Sequence, residues 1–170
     1  MKLVKKPMPI IIPPKPVPLI LRRMYDMCLL QKYGVQVIRL GQTWTFIFPS
    51  DDLFDNDTAE INENYKSLLN VAADFMLTYP KISVEIDGYA NKPVVEMRTK
   101  FGTVTDELTQ QQANAVLKYF TTQRINARLI YAVGKGSKNE VAWSGSPSGR
   151  RFNRRVEVHF RYYRDNKAWY

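Results

Sequence analysis

Cysteine and histidine are almost absent from this chain of 170 residues, which contains one of each, Cys28 and His159. One cysteine cannot form a disulfide within the chain or supply a multi-cysteine metal site. One histidine excludes a metal site built on a histidine pair and leaves a single candidate for a histidine base. No catalytic constellation stands out, so we expect a protein that is not an enzyme and has no metal and no cofactor.

Long hydrophobic runs are absent too. No apolar segment approaches the roughly 18–20 residues that a membrane-spanning helix needs. The lysines among the first six residues suit the basic start of a signal peptide, but six prolines between positions 7 and 18 interrupt the apolar segment that should follow. We see no export signal, which fits either a cytoplasmic protein or a mature or trimmed form.

Positive charge is concentrated at the two ends of the chain. The net charge is +9, with +6 in residues 1–23, +5 in residues 150–170 and −2 between them. Basic ends around a nearly neutral body favour binding to nucleic acid, to anionic lipid or to an acidic protein. Charge alone does not choose among these partners.

Residues 1–18 form a proline-rich basic arm, for which polyproline II is the expected conformation. Such an arm is either a stiff disordered linker or a docking segment. Ile10, Ile11 and Ile12 are too apolar for a pure spacer, so they are the candidate docking residues. We predict that the arm is mobile in the isolated protein and becomes ordered only against a partner.

Residues 19–34 predict a short helix, with Ile20, Met24 and either Met27 or Cys28 at helical spacing and Cys28 as a packed core thiol. Residues 35–170 predict one further domain. The predicted elements of that domain are a β-hairpin over 35–40 and 43–48, a helix over 61–79, a strand over 81–87, an irregular connection over 88–105, a helix capped by Thr105 or Thr109, a strand over 128–133, a loop over 134–152 and a strand over 154–163. This order predicts a two-layer α/β sandwich with a mixed sheet.

Five short motifs follow one another in a fixed order. They are Pro-Ser-Asp-Asp-Leu-Phe at 49–54, Tyr-Pro at 79–80, Asp-Gly-Tyr at 87–89, Leu-Thr-Gln-Gln-Gln-Ala-Asn-Ala-Val at 108–116 and Asn-Arg-Arg-Val-Glu-Val at 153–158. Over residues 35–163 this series resembles the OmpA-like C-terminal domain, the periplasmic module that holds peptidoglycan non-covalently. The resemblance implies a β-α-β-α-β-β sandwich, which agrees with the predicted order of elements.

The resemblance also implies a pocket for the diaminopimelate of the peptidoglycan peptide. In the family, an aspartate after the second strand pairs with the ammonium group of the ligand, and an arginine on the second helix forks onto its carboxylate. Here these two positions carry Asn91 and Gln112. Replacing two charge-assisted hydrogen bonds by neutral ones weakens binding by about 10- to 1000-fold.

Other positions of the implied pocket differ as well. Asp57 and Thr105 stand where the family commonly has asparagine, and Arg154 corresponds to an arginine that helps to close the pocket. The connection between the two main motifs is longer than usual and contains Arg98 and Lys100, which are candidate substitute cations. The pocket is therefore either lost or retained with another cation, and we expect the weakened form.

The basic arm and the short length are similar to the small OmpA-like lipoproteins of type IVB secretion systems. That likeness implies a lipidated cysteine at the mature N terminus, which Cys28, inside a predicted helix, does not supply. We expect a non-enzymatic structural subunit of a periplasmic, outer-membrane-associated assembly, in contact with other subunits of a type IV secretion system core. The alternative is a functional peptidoglycan anchor, and the third hypothesis is a nucleic-acid-binding module.

Nucleic-acid binding is suggested by arginines that lie among aromatic residues over 150–164. On a strand, however, Phe160 and Tyr162 share the core face, which leaves few rings to stack on bases. We therefore expect no nucleic-acid partner.

Two further groups of polar residues have plain structural interpretations. Asp51, Asp52 and Asp55 lack the regular spacing of a calcium-binding loop, so we expect them at a solvated helix start. His159 falls opposite the core face of its strand, where we expect it to pack on the surface of the sheet.

Overall fold

A computed structural model describes residues 9–15, 18–55 and 57–164. Its elements are α1 (Leu19–Lys32), β1 (Gln36–Leu40), β2 (Thr43–Pro49), α2 (Ser50–Leu53), a 3₁₀ turn (Glu63–Tyr65), α3 (Lys66–Leu77), β3 (Ile82–Tyr89), β4 (Arg98–Thr99), β5 (Gly102–Thr103), α4 (Val104–Thr122), β6 (Ile130–Gly136), α5 (Pro147–Asn153) and β7 (Arg155–Tyr162). The predictions for residues 1–8, 16–17 and 165–170 lie outside the described residues.

Five strands form one mixed sheet in the order β1-β2-β7-β3-β6. Strand β7, the last in the chain, lies in the middle and pairs antiparallel with both β2 and β3. Strand β6 pairs parallel with β3, and α4 is the crossover between them. The mixed α/β sandwich predicted from the sequence is therefore confirmed.

Alternation along the strands directs one face of the sheet into the core. Val158 and Phe160 of β7 are fully buried, as is Phe46 of the neighbouring β2. The ring of Phe75 on α3 packs edge-on against Phe46 and Phe160, with centroid separations of 5.5 and 5.8 Å. Burying a large side chain of this kind contributes about 1.5–3 kcal/mol. This apolar layer holds the helices on one side of the sheet and leaves the other side polar.

The predicted packed face of the first helix is wrong. Ile20, Met24 and Cys28 are exposed and Met27 is only partly buried against the core, whereas Leu29 and Leu30 are buried and pack into the core. Apolar side chains occur on all sides of α1, so helical spacing alone does not select a face. Contact with α3 selects it instead, because α1 packs along that helix and beside β1.

The described part of the arm lies on its own domain, whereas the sequence predicted an arm ordered only against a partner. Ile10 and Ile12 pack against the core and Ile11 points outward, 79% exposed. Tyr33 of the chain segment after α1 donates a hydrogen bond to the Ile11 carbonyl at 3.3 Å, and Tyr25 of α1 donates one to the Pro13 carbonyl. Residues 9–15 lie alongside α1 because the hydroxyls of Tyr25 and Tyr33 donate hydrogen bonds to the carbonyl groups of this proline-rich segment.

Helix α4 starts earlier than predicted, because Thr103 and not Thr105 or Thr109 caps it. The Thr103 hydroxyl accepts a hydrogen bond from the Asp106 amide at 3.1 Å, and the Asp106 carboxylate accepts one from the Thr103 amide at 3.2 Å. A short helix, α5, occupies part of the predicted loop over 134–152, with Ser146 as its N-cap. Among the described residues, no helix combines the length and the apolar character needed to cross a membrane.

Candidate functional site

A cleft of about 430 Å³ opens where the start of α2, the end of β3 and the first turns of α4 meet. Its lining combines charged, amide, hydroxyl and aromatic groups: Ser50, Asp51, Phe54, Asp57, Tyr89, Ala90, Leu108, Gln112 and Arg154. Both signs of charge are present, so the cleft suits a polar ligand that carries an ammonium group and a carboxylate.

Gly88 allows β3 and α4 to approach closely enough to form this cleft. A Cβ at position 88 would lie 2.3 Å from the carbonyl oxygen of Thr109 on α4, which is too close for any side chain. The absence of a side chain therefore brings Tyr89 and Ala90 beside Gln112.

Arg154 supplies the positive charge of the cleft, and Asp51 holds it. Nε and Nη2 of Arg154 donate to the two carboxylate oxygens of Asp51 at 2.7 and 2.8 Å, in a bidentate pair. The hydrogen bond to Asp51, together with the negative charges of Asp51 and Asp57, raises the pKa of Arg154. A ligand carboxylate must therefore compete with Asp51 for this guanidinium.

Gln112 lies at the cleft but its amide is already used within the chain. The side chain is 5% exposed, and Nε2 donates to the Thr58 carbonyl at 2.9 Å. The neighbouring Asp57 has a positive φ of 50°, so the chain turns sharply in front of α4. Gln112 thus ties α4 to this turn, and no cation stands at the position where the resemblance implies an arginine.

Asn91 follows Ala90, which lines the cleft, but the side chain of Asn91 is bonded to Lys92 and Asn153. Its Nδ2 donates to the Lys92 carbonyl at 3.1 Å, and its Oδ1 accepts a long hydrogen bond from Asn153 at 3.4 Å. Asn153 is fully buried, and its Oδ1 accepts from the amides of Val141 and Ala142. Asn91 is therefore held by its neighbour Lys92 and by Asn153 at the end of α5, and it does not line the cleft.

The remaining candidate residues lie in the small hairpin β4–β5 and in the first turn of α4 that follows it. Thr105 donates to the carboxylate of Glu96 at 3.1 Å, Arg98 lies in β4, and the Lys100 ammonium lies 5.7 Å from the ring of Phe101. The structure thus brings Asp57, Gln112 and Arg154 together at one cleft. It does not bring Thr105, Arg98 or Lys100 to that cleft.

Sequence reasoning missed two contributors to the cleft, Asp51 and Ser50. Asp51 was expected at a solvated helix start, but it pairs with Arg154 from the other end of the chain. The buried Ser50 hydroxyl lacks a hydrogen-bond partner among the described residues, so it is available to a ligand. The sequence carries only a weak signal for this pair, which is an acid directly after one strand and several arginines near a later strand.

The arginines near the C-terminal strand are also paired within the chain. Arg151 bonds Asp52 at 3.2 Å, and Arg155 bonds Glu157 at 2.8 Å. The ring of Phe160 is buried in the core, as the alternation predicted.

Comparison with known proteins extends these observations. The model of the OmpA family matches residues 53–154. The probable lipoprotein YiaD of Escherichia coli is 30% identical over 125 residues, which cover 74% of this chain and 54% of YiaD. The peptidoglycan-binding protein ArfA of Mycobacterium tuberculosis is 32% identical over 105 residues, which cover 62% of this chain and 30% of ArfA. The chain therefore spans about half or less of these relatives.

A solved structure is similar in the same region. The periplasmic domain of Helicobacter pylori MotB superposes with a TM-score of 0.66 at 25% sequence identity, covering 78% of this chain and 82% of that one.

Proposed function

The chain belongs to the OmpA family, and from that premise we propose that it is a non-enzymatic structural protein of the bacterial periplasm, associated with peptidoglycan near the outer membrane. The relatives support this assignment, since one is named a probable lipoprotein, one a peptidoglycan-binding protein and one a periplasmic domain.

The state of the cleft carries the more specific part of the proposal. Gln112, at the position that the resemblance assigns to an arginine, is buried and bonded to Thr58, and the remaining cation, Arg154, is bonded to Asp51. A ligand carboxylate can bind Arg154 strongly only if it displaces Asp51 from the guanidinium. Direct binding to diaminopimelate is therefore weak. The domain then acts mainly as a building block of a larger assembly.

The proposed assembly is the core of a type IV secretion system, in which this chain contacts other subunits. The support is the layout of a basic, proline-rich arm ahead of an OmpA-like domain with a degenerate pocket. The competing function, a functional peptidoglycan anchor, is favoured by one observation, the presence of Arg154 and Asp57 on an open cleft.

Co-sedimentation with purified sacculi that contain diaminopimelate tests the proposal. We expect little pelleting of the wild type at low micromolar concentration. The double substitution Asn91→Asp and Gln112→Arg restores the two charges, and we expect affinity to rise at least about tenfold. Most of this gain should come from Gln112→Arg alone, because Gln112 lines the cleft and Asn91 does not.

A matched control adds the same two charges outside the cleft, as Gln111→Arg and Asn114→Asp at exposed positions of α4. This control should leave pelleting unchanged. Strong pelleting of the wild type would establish the anchor instead, and its loss on Arg154→Ala would then identify the replacement cation. No gain in a folded double variant would mean that the cleft does not admit the ligand.

A further inference from the structure

The polar face of the sheet brings three potential metal ligands together, far apart in sequence. Asp87 on β3 lies directly opposite Glu157 on β7, and His159 follows two residues later on the same face of β7. His159 Nε2 lies 3.1 Å from a carboxylate oxygen of Glu157 and 3.5 Å from one of Asp87. All three ligand atoms lie within 4.8 Å of one another.

These separations match the geometry of a small coordination shell. Zinc binds imidazole nitrogen and carboxylate oxygen at about 2.0–2.2 Å, so two ligands of a tetrahedral ion are about 3.3 Å apart. Two carboxylates and one imidazole form a donor set that suits divalent transition metals. The sequence led us to expect no metal, but it excluded only sites that need several cysteines or a histidine pair, and this set needs a single histidine.

Neighbouring groups orient two of the three ligands. The Nδ1 atom of His159 lies 2.8 Å from the hydroxyl of Thr45 on β2, which turns Nε2 toward the carboxylates. Arg155 donates to the other carboxylate oxygen of Glu157 at 2.8 Å. Partners of this kind hold metal ligands in position and fix the histidine tautomer.

Asp87 supplies an independent sign of a missing partner. This residue is 5% exposed, and its Oδ1 accepts no hydrogen bond from any described residue. A buried carboxylate oxygen without a partner is costly, so a group that satisfies it is expected. An ion between Asp87, Glu157 and His159 would neutralise that carboxylate.

We propose that Asp87, Glu157 and His159 bind one divalent transition-metal ion, with Zn²⁺ as the representative, on the polar face of the sheet. The ion takes the position where a proton on Nε2 otherwise bridges the two carboxylates, and that proton is released on binding. The site shares no residue with the cleft, so it is independent of peptidoglycan binding.

Nuclear magnetic resonance of the single histidine tests the proposal. The untagged protein carries Cys28→Ser, because the exposed Cys28 thiol would also bind zinc. We titrate this protein with Zn²⁺ alone at about pH 8 and follow the two ring nitrogens of His159. We expect the Nε2 resonance to move at a stoichiometry of one ion per chain while Nδ1 keeps its proton.

Two substitutions give a matched comparison by calorimetry. Asp87→Asn should lower zinc affinity at least about tenfold. Glu63→Gln changes a carboxylate at the 3₁₀ turn, away from the sheet, bonded to Lys66, and should leave affinity unchanged. An unmoved Nε2 resonance up to about 1 mM Zn²⁺, or equal affinities in the two variants, would overturn the proposal, and the first result requires only that the protein tolerates the change at the exposed Cys28.

Discussion

Two clusters of charged residues lie on opposite sides of this sandwich, and their charges are arranged in different ways. The arm cluster joins Asp26 of α1 and Asp74 of α3 with Lys15 of the arm and Arg22. The sheet cluster consists of Asp87, Arg155, Glu157 and His159 on the polar face of the sheet. Each cluster contains two acids and two cations. In the first, the two acids share a hydrogen bond with each other, whereas in the second both acids pair with His159.

Burial, together with the neighbouring acid, favours the protonated form of Asp26 at the arm cluster. Asp26 is fully buried, and Lys15, its nearest cation, is 3.7 Å away. Burial and a hydrogen bond to Asp74 raise the pKa of Asp26 to about 7. Burial also acts on Asp74, but the hydrogen bond from Asp26 and the charges of Lys15 and Arg22 lower its pKa.

Opposite charges at the sheet cluster favour the ionised forms of His159 and Glu157. Hydrogen bonds to Asp87 and Glu157 raise the pKa of His159 to about 9. Burial opposes ionisation of Glu157, but hydrogen bonds from His159 and Arg155 lower its pKa to about 2. Comparable burial therefore produces opposite dependences of stability on pH, because the partner's charge decides which protonation state the fold favours.

The largest expected effect is the loss of Arg155 from the sheet cluster. Arg155→Met removes the bonds to Glu157 and to the carbonyls of Asn153 and Asn139, and it removes the stacking on Tyr89. We expect the free energy of unfolding to fall by about 2–4 kcal/mol, measured by urea denaturation. Arg161→Met, at an exposed position of the same strand, should cost less than about 0.5 kcal/mol. Equal losses would show that the cluster contributes nothing specific.

A second, smaller effect is the alkaline loss of stability that His159 causes. Because its pKa is raised from 6.5 to about 9, its contribution is complete below pH 6.5 and is lost as the pH rises to 9. In buffer with a metal chelator, we expect the wild type to lose about 1–3 kcal/mol over this range relative to His159→Gln. Parallel pH profiles of the two proteins would contradict the assignment.

The smallest effect has the opposite sign and belongs to the arm cluster. Because the pKa of Asp26 is raised from 3.8 to about 7, its ionised form destabilises the fold increasingly between these pH values. Asp26→Asn should therefore raise the free energy of unfolding by about 1 kcal/mol at pH 8 and leave it unchanged at pH 4. Asp74→Asn, which removes an acid with a lowered pKa, should instead lower stability at pH 8.

A loss of stability in Asp26→Asn at pH 8 would mean that Lys15 and Arg22 hold Asp26 as an ion. In both clusters the fold would then stabilise the ionised form of the acid, and the contrast between them would disappear.

Part of the candidate site was predictable from the sequence. The motif at 108–116 placed Gln112, and the motif at 153–158 placed Arg154, on opposite sides of one cleft. The partner of Arg154 was not predictable, because Asp51 and Arg154 are 103 residues apart and meet only when β7 inserts beside β2. The hydrogen bond that Asn91 accepts from Asn153, away from the cleft, likewise depends on how the loop before α5 packs.

The sequence by itself determined the five strands of the main sheet, their inward faces and the family of the chain, because alternation of apolar and polar residues is a local property of each of these strands. It did not predict the two-residue strands β4 and β5, which are too short to show alternation. Tertiary structure alone decided the packed face of α1, which is apolar on several sides and takes its orientation from α3. Tertiary structure alone also decided which charged side chains contact each other. Asp26 meets Asp74 and Asp87 meets Glu157 through packing and strand register, and no pattern within a single element encodes a distance between two elements.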